Sequence, residues 1–304
     1  MWKKIGQIVM SFACDTTHTY LTRPYGETMI LDWNDAYANA PHIQDGAEYP
    51  ARFAAAAEAF RADLPTRAAE YDLAYGPDPR HRFDLFYPEG PSRGLAVFVH
   101  GGFWQAFDKS AWSNLAAGAR ARGWTVALPS YRLAPQVTIP EITLDVAAAI
   151  TAAAARINGP ICLAGHSAGG HLVSRMTSHT SPLTADVTSR LRHVLSISGL
   201  HDLRPLMNTA MNRNLALTET TAGDESPALL RPLPQTRLTA WVGAAERPEF
   251  CRQNALLPNI WRGLGADTRE ISTADLHHFN ICDGLCDPAH PMAAAFVGED
   301  DWNG

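Results

Sequence analysis

Ser167 stands at the centre of Gly-His-Ser-Ala-Gly, residues 165–169, a setting that turns an alcohol into a nucleophile. A short apolar run, 160–165, leads into it, and a helix-like pattern starts near Ala168. In so sharp a strand-to-helix turn Gly165 and Gly169 bring no side chains to collide, so Ser167 is expected to hold a strained backbone with its hydroxyl exposed. The N-terminus of the helix behind it favours developing negative charge. A second glycine pair, Gly101 and Gly102, directly follows the apolar run 95–100. The N–H groups of Gly102, Phe103 and Ala168 are expected to form an oxyanion hole for a bound carbonyl oxygen. The chemistry implied is attack by Ser167 on an ester or amide carbonyl.

A serine nucleophile needs a base to take its proton and an acid to orient that base. With a nucleophile on such a turn, the chain order is Ser, acid, His. Glu246 follows the apolar run 238–244 and is expected to be the acid, with Glu249, Asp275 and Asp287 as competitors. Glu249 falls inside the next helix and faces away, and Asp275 is only three residues before the histidine pair. Of His277 and His278, the second, just before Phe279 and the last helix, is taken as the base; one of the two is expected to be structural or pocket-lining. His100 is expected to be a structural hydrogen-bonding residue, because its motif follows the first buried strand rather than the last. Trp104, Phe107, Tyr131, His166 and Phe279, with Phe103, are the expected walls of a substrate pocket.

These residues need a frame. The 304 residues, 46% apolar and 18% charged, have an ordinary globular composition. The stretch 49–60 reads as a helix with Pro50 at its start, and two alternating strands separated by Pro-Asp-Pro-Arg read as a hairpin that opens a sheet. From Leu95 onward near-continuous apolar runs at 95–100, 125–129, 160–165, 193–199 and 238–244 alternate with helical stretches, as strands covered on both faces must. Between two of them Ile142, Val146, Ile150 and Ile157 recur on one helical face after Pro140. The fold class expected is α/β: a mostly parallel central sheet flanked by helices on both faces. The expected organisation is one domain over 29–304, with a small cap inserted at about 201–235 and a poorly structured extension at 1–28.

Net charge is −6 and Lys occurs only at positions 3, 4 and 109, so no basic footprint for nucleic acid exists. Five dispersed cysteines, Cys14, Cys162, Cys251, Cys282 and Cys286, read as reduced thiols and favour the cytoplasm. No metal-ligand spacing appears, and neither metal nor cofactor is expected. No apolar run approaches the roughly 20 residues that span a bilayer. The first 14 residues faintly resemble a leader, which leaves a secreted or lipid-anchored form as the alternative to the cytoplasm. The expected partner is a small-molecule ester or formamide, with a homodimer allowed for.

Together, His-Gly-Gly-Phe-Trp (100–104), Ser-Tyr-Arg-Leu-Ala-Pro (130–135), Gly-His-Ser-Ala-Gly-Gly (165–170), Ala-Glu-Arg-Pro-Glu-Phe (245–250) and His-His-Phe (277–279) resemble the α/β-hydrolases of the esterase and lipase kind, most closely the kynurenine formamidase (arylformamidase) branch. The resemblance runs over about residues 29–298. It implies Ser167, Glu246 and His278 as the catalytic residues, with Glu246 where the family usually has Asp. It also implies cleavage of N-formylkynurenine through a formyl-Ser167 intermediate. A general short-chain carboxylesterase is the alternative, and an inactive hydrolase-fold binding protein the third reading.

Overall fold

Strands that are apolar at every position can lie only where both faces are covered, which puts the runs beginning at Leu95 in the middle of a layered molecule. The computed structural model describes residues 20–22, 28–30 and 32–299. Tyr20–Thr22 (β1) pairs antiparallel with Thr28–Ile30 (β2); the remainder of the expected extension lies outside the described residues. Trp33–Ala36 (α1) starts on Asp32, whose side chain accepts from the Asn34 and Asp35 amides. Tyr49–Asp63 (α2) has Pro50 in its first turn. Ala69–Ala74 (β3) and Arg82–Phe86 (β4) form the hairpin. There follow Leu95–Val99 (β5), Ala117–Ala121 (α3), Thr125–Pro129 (β6), Ile139–Arg156 (α4), Ile161–His166 (β7), Ala168–Arg175 (α5), Ala185–Ser189 (α6) and Leu191–Ile197 (β8). Asn212–Leu215 (α7), Glu219–Asp224 (α8), Arg237–Gly243 (β9), Pro248–Gly263 (α9), Asp267–Thr273 (β10) and Pro291–Phe296 (α10) complete the order.

The main sheet runs β10-β9-β8-β7-β5-β6-β4-β3. It is parallel from β10 to β6 and antiparallel only through the hairpin. Alternation along β5 shows both faces filled: Leu95, Val97 and Val99 pack with Ile142, Val146 and Ile150 of α4 and with Leu172, Leu257 and Trp261. Ala96 and Phe98 turn the other way, toward Trp112, Leu115, Ile281 and Phe296. The mostly parallel sheet with helices on both faces is therefore the architecture that the apolar runs require.

Helix α4 begins with a capping box in which Glu141 Oε2 accepts from the Thr138 amide at 2.8 Å. Its buried stripe is Ile142, Val146 and Ile150, while Ile157 sits at the C-cap, just past the helix. Strand β10 has no apolar run to announce it. It is the sheet edge, with Thr268 as its buried residue, and parallel pairing with β9 defines it. Between β8 and β9 the chain folds into short turns and helices. Leu203, Leu206, Leu215, Leu217 and Ala222 from this stretch join the core of one sheet face. Among the described residues no helix is long and apolar enough to cross a membrane.

Candidate active site

All the candidate groups gather at the carboxyl ends of the strands. β7 runs into Ser167, which has φ 57° and ψ −117°, and α5 starts at the next residue. A non-glycine residue held there stores of order 1–3 kcal/mol of strain, which the surrounding contacts must hold in place. The Ser167 amide donates to the Ile197 carbonyl at 2.8 Å, and its carbonyl accepts from His171 at 3.1 Å. A Cβ on Gly169 would lie 1.9 Å from the Val99 carbonyl oxygen, so only glycine lets the helix close onto β5 here. Ser167 Oγ makes no hydrogen bond among the described residues and stays open to an incoming carbonyl. Nucleophile–base hydrogen bonds commonly tighten only when substrate binds.

The loop after β5 closes against that turn. A Cβ on Gly101 would meet Ser167 Cβ at 3.0 Å and the His166 carbonyl oxygen at 2.8 Å. Gly102 has φ 110°, and Phe103, Trp104 and Phe107 have φ of 51°, 59° and 71°. The Gly102 carbonyl accepts from Gln105 and Ala106, which curls the loop. The amides of Gly102 and Phe103 have no acceptor among the described residues, and Ala168 is in the first helical turn, whose N–H groups lack intrahelical partners. His100 is occupied with holding this loop: its Nδ1 donates to the Gly101 carbonyl at 2.7 Å and its ring stacks on Tyr131 at 4.4 Å. Burial pushes its pKa down to about 4, so the ring is neutral.

β9 and β10 deliver the other two groups. Glu246 Oε2 accepts from His278 Nδ1 at 2.6 Å, while Glu246 Oε1 accepts from Ser198 Oγ at 2.5 Å and from the Gly243 amide at 2.9 Å. Both carboxylate oxygens are thus aimed, and His278 is left with Nε2 for the reacting side. The two loops touch: a Cβ on Gly243 would lie 2.1 Å from the Leu276 carbonyl oxygen, and the Ala245 amide donates to that same oxygen at 3.0 Å. The His278 ring lies between His166, 4.6 Å away, and Phe250, 4.4 Å away. His166 Nε2 donates to the His278 carbonyl at 2.9 Å, tying the residue before Ser167 to the residue that carries the imidazole. Burial, then the neighbouring His278, holds the His166 pKa well below the usual imidazole range.

The competing carboxylates are engaged elsewhere or exposed. Glu249 is buried in α9, where its Oε1 accepts from Tyr37 Oη at 2.7 Å and from Gln253 at 3.1 Å, and both its oxygens meet Arg252. Asp275 and Asp287 are exposed, and Asp287 accepts from the Ala289 amide. His277 Nδ1 accepts from the Phe279 and Asn280 amides, and its Nε2 faces Tyr49 Oη at 3.2 Å. Among the described residues no group of three or more His, Cys, Asp or Glu side chains is placed to hold a metal ion.

A cavity of about 330 Å³ lies beside these groups, lined by Phe103, Phe279, Met211, Asn34 and the segment 37–41. Of the aromatic residues expected at the substrate, Phe103 and Phe279 reach it. Trp104, Tyr131 and His166 require correction: each is buried and committed to the frame. Trp104 is fully enclosed in the core, edge-on to His171; Tyr131 donates to the His100 carbonyl at 2.9 Å; and His166 packs under His278. Phe107 joins Phe53 and Trp112 in an aromatic group outside this lining. Residues Tyr37, Asn39 and Met211 of the lining, and Ser198 behind Glu246, carry no motif; only their place in the chain, before α2 and after β8, connects them to the site.

Comparison with known proteins agrees with this geometry. Residues 96–241 match a family model described as the alpha/beta hydrolase fold. The kynurenine formamidase of Danio rerio is 28% identical over 228 residues, 71% of this chain and 76% of that protein. The one from Drosophila melanogaster is 29% identical over 69% of this chain and 74% of its own length. The crystal structure of a putative thioesterase from Silicibacter sp. TM1040 is 47% identical, with a TM-score of 0.84, covering 88% of this chain and 99% of that one. With that family match and a 47% identical relative covered over nearly its whole length, the chain is a hydrolase and belongs to the α/β-hydrolase family.

Proposed function

We propose that the protein is a serine hydrolase cleaving aryl formamides, with N-formylkynurenine as its substrate. The observation that carries this reading is the 2.6 Å contact of His278 Nδ1 with a fully engaged Glu246, next to Ser167 on a strained turn. The formamide comes from the relatives, which are named kynurenine formamidases. His278 Nε2 takes the proton of Ser167 Oγ as that oxygen attacks the formyl carbon, and Glu246 stabilises the imidazolium. The Gly102, Phe103 and Ala168 amides receive the oxyanion. Collapse breaks the C–N bond, His278 protonates the departing amine, and water then hydrolyses formyl-Ser167 with the same base. Residues 201–235 act as a small cap, which places Met211 over the cavity. Buried, unbridged Cys162 and Cys282 support a reducing compartment, the cytoplasm.

A second reading, a carboxylesterase for neutral short-chain esters, is favoured by the cavity itself. Among the described residues no Lys, Arg, Asp or Glu lines it, so these offer no counter-charge to an ionic group. The deciding experiment is kcat/KM for N-formylkynurenine beside p-nitrophenyl acetate and butyrate, with Ser167→Ala as the blank. A formamide preference of about a hundredfold, roughly 2.7 kcal/mol of transition-state binding, supports the formamidase. The reverse preference makes the protein an esterase with the same three catalytic residues.

A further inference from the structure

We propose that Asn39 is a specificity-determining residue: its carboxamide hydrogen-bonds an acceptor on an aromatic leaving group, beside the scissile bond. Three observations converge. Asn39 is only 4% exposed, and its Nδ2 has no hydrogen-bond partner among the described residues. It occupies the N-cap of the short turn Ala40–His42, where an Asn side chain ordinarily caps the amides that follow, yet here the side chain makes no capping bond. It lines both the cavity of about 330 Å³ and the narrow cleft bounded by Glu246, His277 and His278, so it stands between the candidate base and the space a substrate would fill.

A buried amide without a partner is destabilising, and a ligand that supplies the missing acceptor recovers that loss. The chemistry of the occupant follows from the remaining lining. Phe103, Phe279, Met211 and the Tyr37 ring are apolar surfaces, and the other polar side chain, Asn34, already accepts from the Ala210 amide at 2.6 Å. An aromatic group bearing one carbonyl fits this set. The inference rests on the formamidase reading in one respect: a formyl group has no side chain to fill a cavity of that size, so the cavity serves the leaving group. Phe103 and Phe279 each follow directly on a candidate catalytic position, Gly102 or His278, and they set the cavity's opening at the reacting carbonyl.

The test compares 2-formamidoacetophenone with formanilide, and in parallel 2-acetylphenyl acetate with phenyl acetate, in the wild type, Asn39→Leu and Asn39→Ala. The ratio of kcat/KM within each pair, variant over wild type, cancels the intrinsic effect of the ortho acetyl group. The expected result is a fall in that ratio of about tenfold in both variants, with the substrate lacking the acceptor changed by less than about threefold. An unchanged ratio, or an equal fall for both members of a pair, overturns the role of Asn39. The Ala variant adds no bulk and carries the test where Leu does not fold. Turnover of the esters with none of the formamides defeats the formamidase reading while the ester pair still decides Asn39. Turnover of neither pair overturns both.

Discussion

The two edges of the sheet differ in a way that cavity size alone would misreport. At the amino ends of the strands, around Asn158–Pro160, Arg190–Arg192 and Gln235–Arg237, lie open clefts of about 820 and 380 Å³, both larger than the cavity of about 330 Å³ at the carboxyl ends. The lower edge is nonetheless chemically quiet. Arg190, for example, spends its guanidinium on the carbonyls of Gly159, Ala154 and Ile157. Gln235, with φ 61°, is the one strained residue lining those clefts among the described residues. The upper edge holds Phe103, Trp104, Phe107, Ser167, Ser198 and Asp275 at positive φ, and among the described residues His100 Nε2, His166 Nδ1 and Asn39 Nδ2 are buried there without hydrogen-bond partners. Strain raises the free energy of the fold, so its concentration on one edge marks where the structure is committed to something other than stability.

The largest effect expected from this contrast is on turnover. Ser167→Ala should lower kcat/KM by roughly 10⁴-fold or more, because nothing else at the upper edge replaces the nucleophile. Arg192→Ala, in the wall of the larger lower cleft, should change it by less than about twofold, as an exposed side chain outside the chemistry does. Steady-state kinetics on the better of the formamide and ester substrates checks both. A comparable loss in the two variants would erase the distinction between the edges.

Two glutamates three residues apart make the same contrast on a smaller scale. In Glu246→Gln the amide has one oxygen for two demands. If that oxygen faces His278, the NH2 group points at the Gly243 N–H and Ser198; if it faces Gly243, the NH2 group forces the imidazole tautomer that cannot accept the serine proton. A fall in kcat of about 10³ to 10⁴-fold is expected, with the protein folded by circular dichroism. Glu249→Gln disturbs Tyr37 and Arg252 instead, so it should cost about 1–3 kcal/mol of stability and leave kcat of the folded enzyme nearly intact. The opposite pattern would move the acid to Glu249.

How much of this was legible from the residues depended on whether a position is fixed by local or by long-range contacts. The runs at 95–100, 125–129 and 160–165 read as buried strands because they are near-continuously apolar, and Gly-His-Ser-Ala-Gly read as a turn because its small residues answer a local steric need. β10 was invisible, since an edge strand needs no apolar run. Trp104 misled for the converse reason: an aromatic close after a glycine pair reads as a pocket wall, whereas here it has positive φ and its indole is enclosed in the core. Asn39 and Ser198 reach the site only through contacts more than 40 residues away in sequence, to which no local spacing can point.

Acid should strip stability from the molecule through the neutral imidazoles around the upper edge. Burial holds His100 and His201 down at about 4 and His171 at about 3, with His166 also well below the usual value. Above pH 6.5 these rings are neutral both folded and unfolded and contribute no pH dependence. As pH falls below about 6.5 the unfolded chain binds protons that the folded rings refuse, so stability drops by up to about 1.4 kcal/mol per pH unit for each ring until pH reaches about 4. Urea midpoints from pH 7.5 to 4.5 should therefore fall steeply below 6.5. A flat profile would mean that the rings charge inside the fold, and the upper edge would then be no more committed than the lower.

The smallest effect sharpens what the upper edge uses its strain for. Ser198 holds φ 51° at the end of β8, with its amide bonded to the Trp241 carbonyl at 2.7 Å, and that backbone directs its hydroxyl to Glu246 Oε1. Removing the hydroxyl leaves Oε1 with the Gly243 amide alone, so the carboxylate keeps its charge and loses one of the bonds that fix its rotation. A hydrogen bond to a charged group is worth about 1.5–3 kcal/mol, and since only part of that is felt at the imidazole, Ser198→Ala should lower kcat by about tenfold with KM unchanged. An equal rise in KM would place Ser198 in substrate binding instead. Unaltered kinetics with a lowered melting temperature would make its strained backbone a matter of the fold, and the concentration of strain at this edge would then include at least one residue with no part in the chemistry.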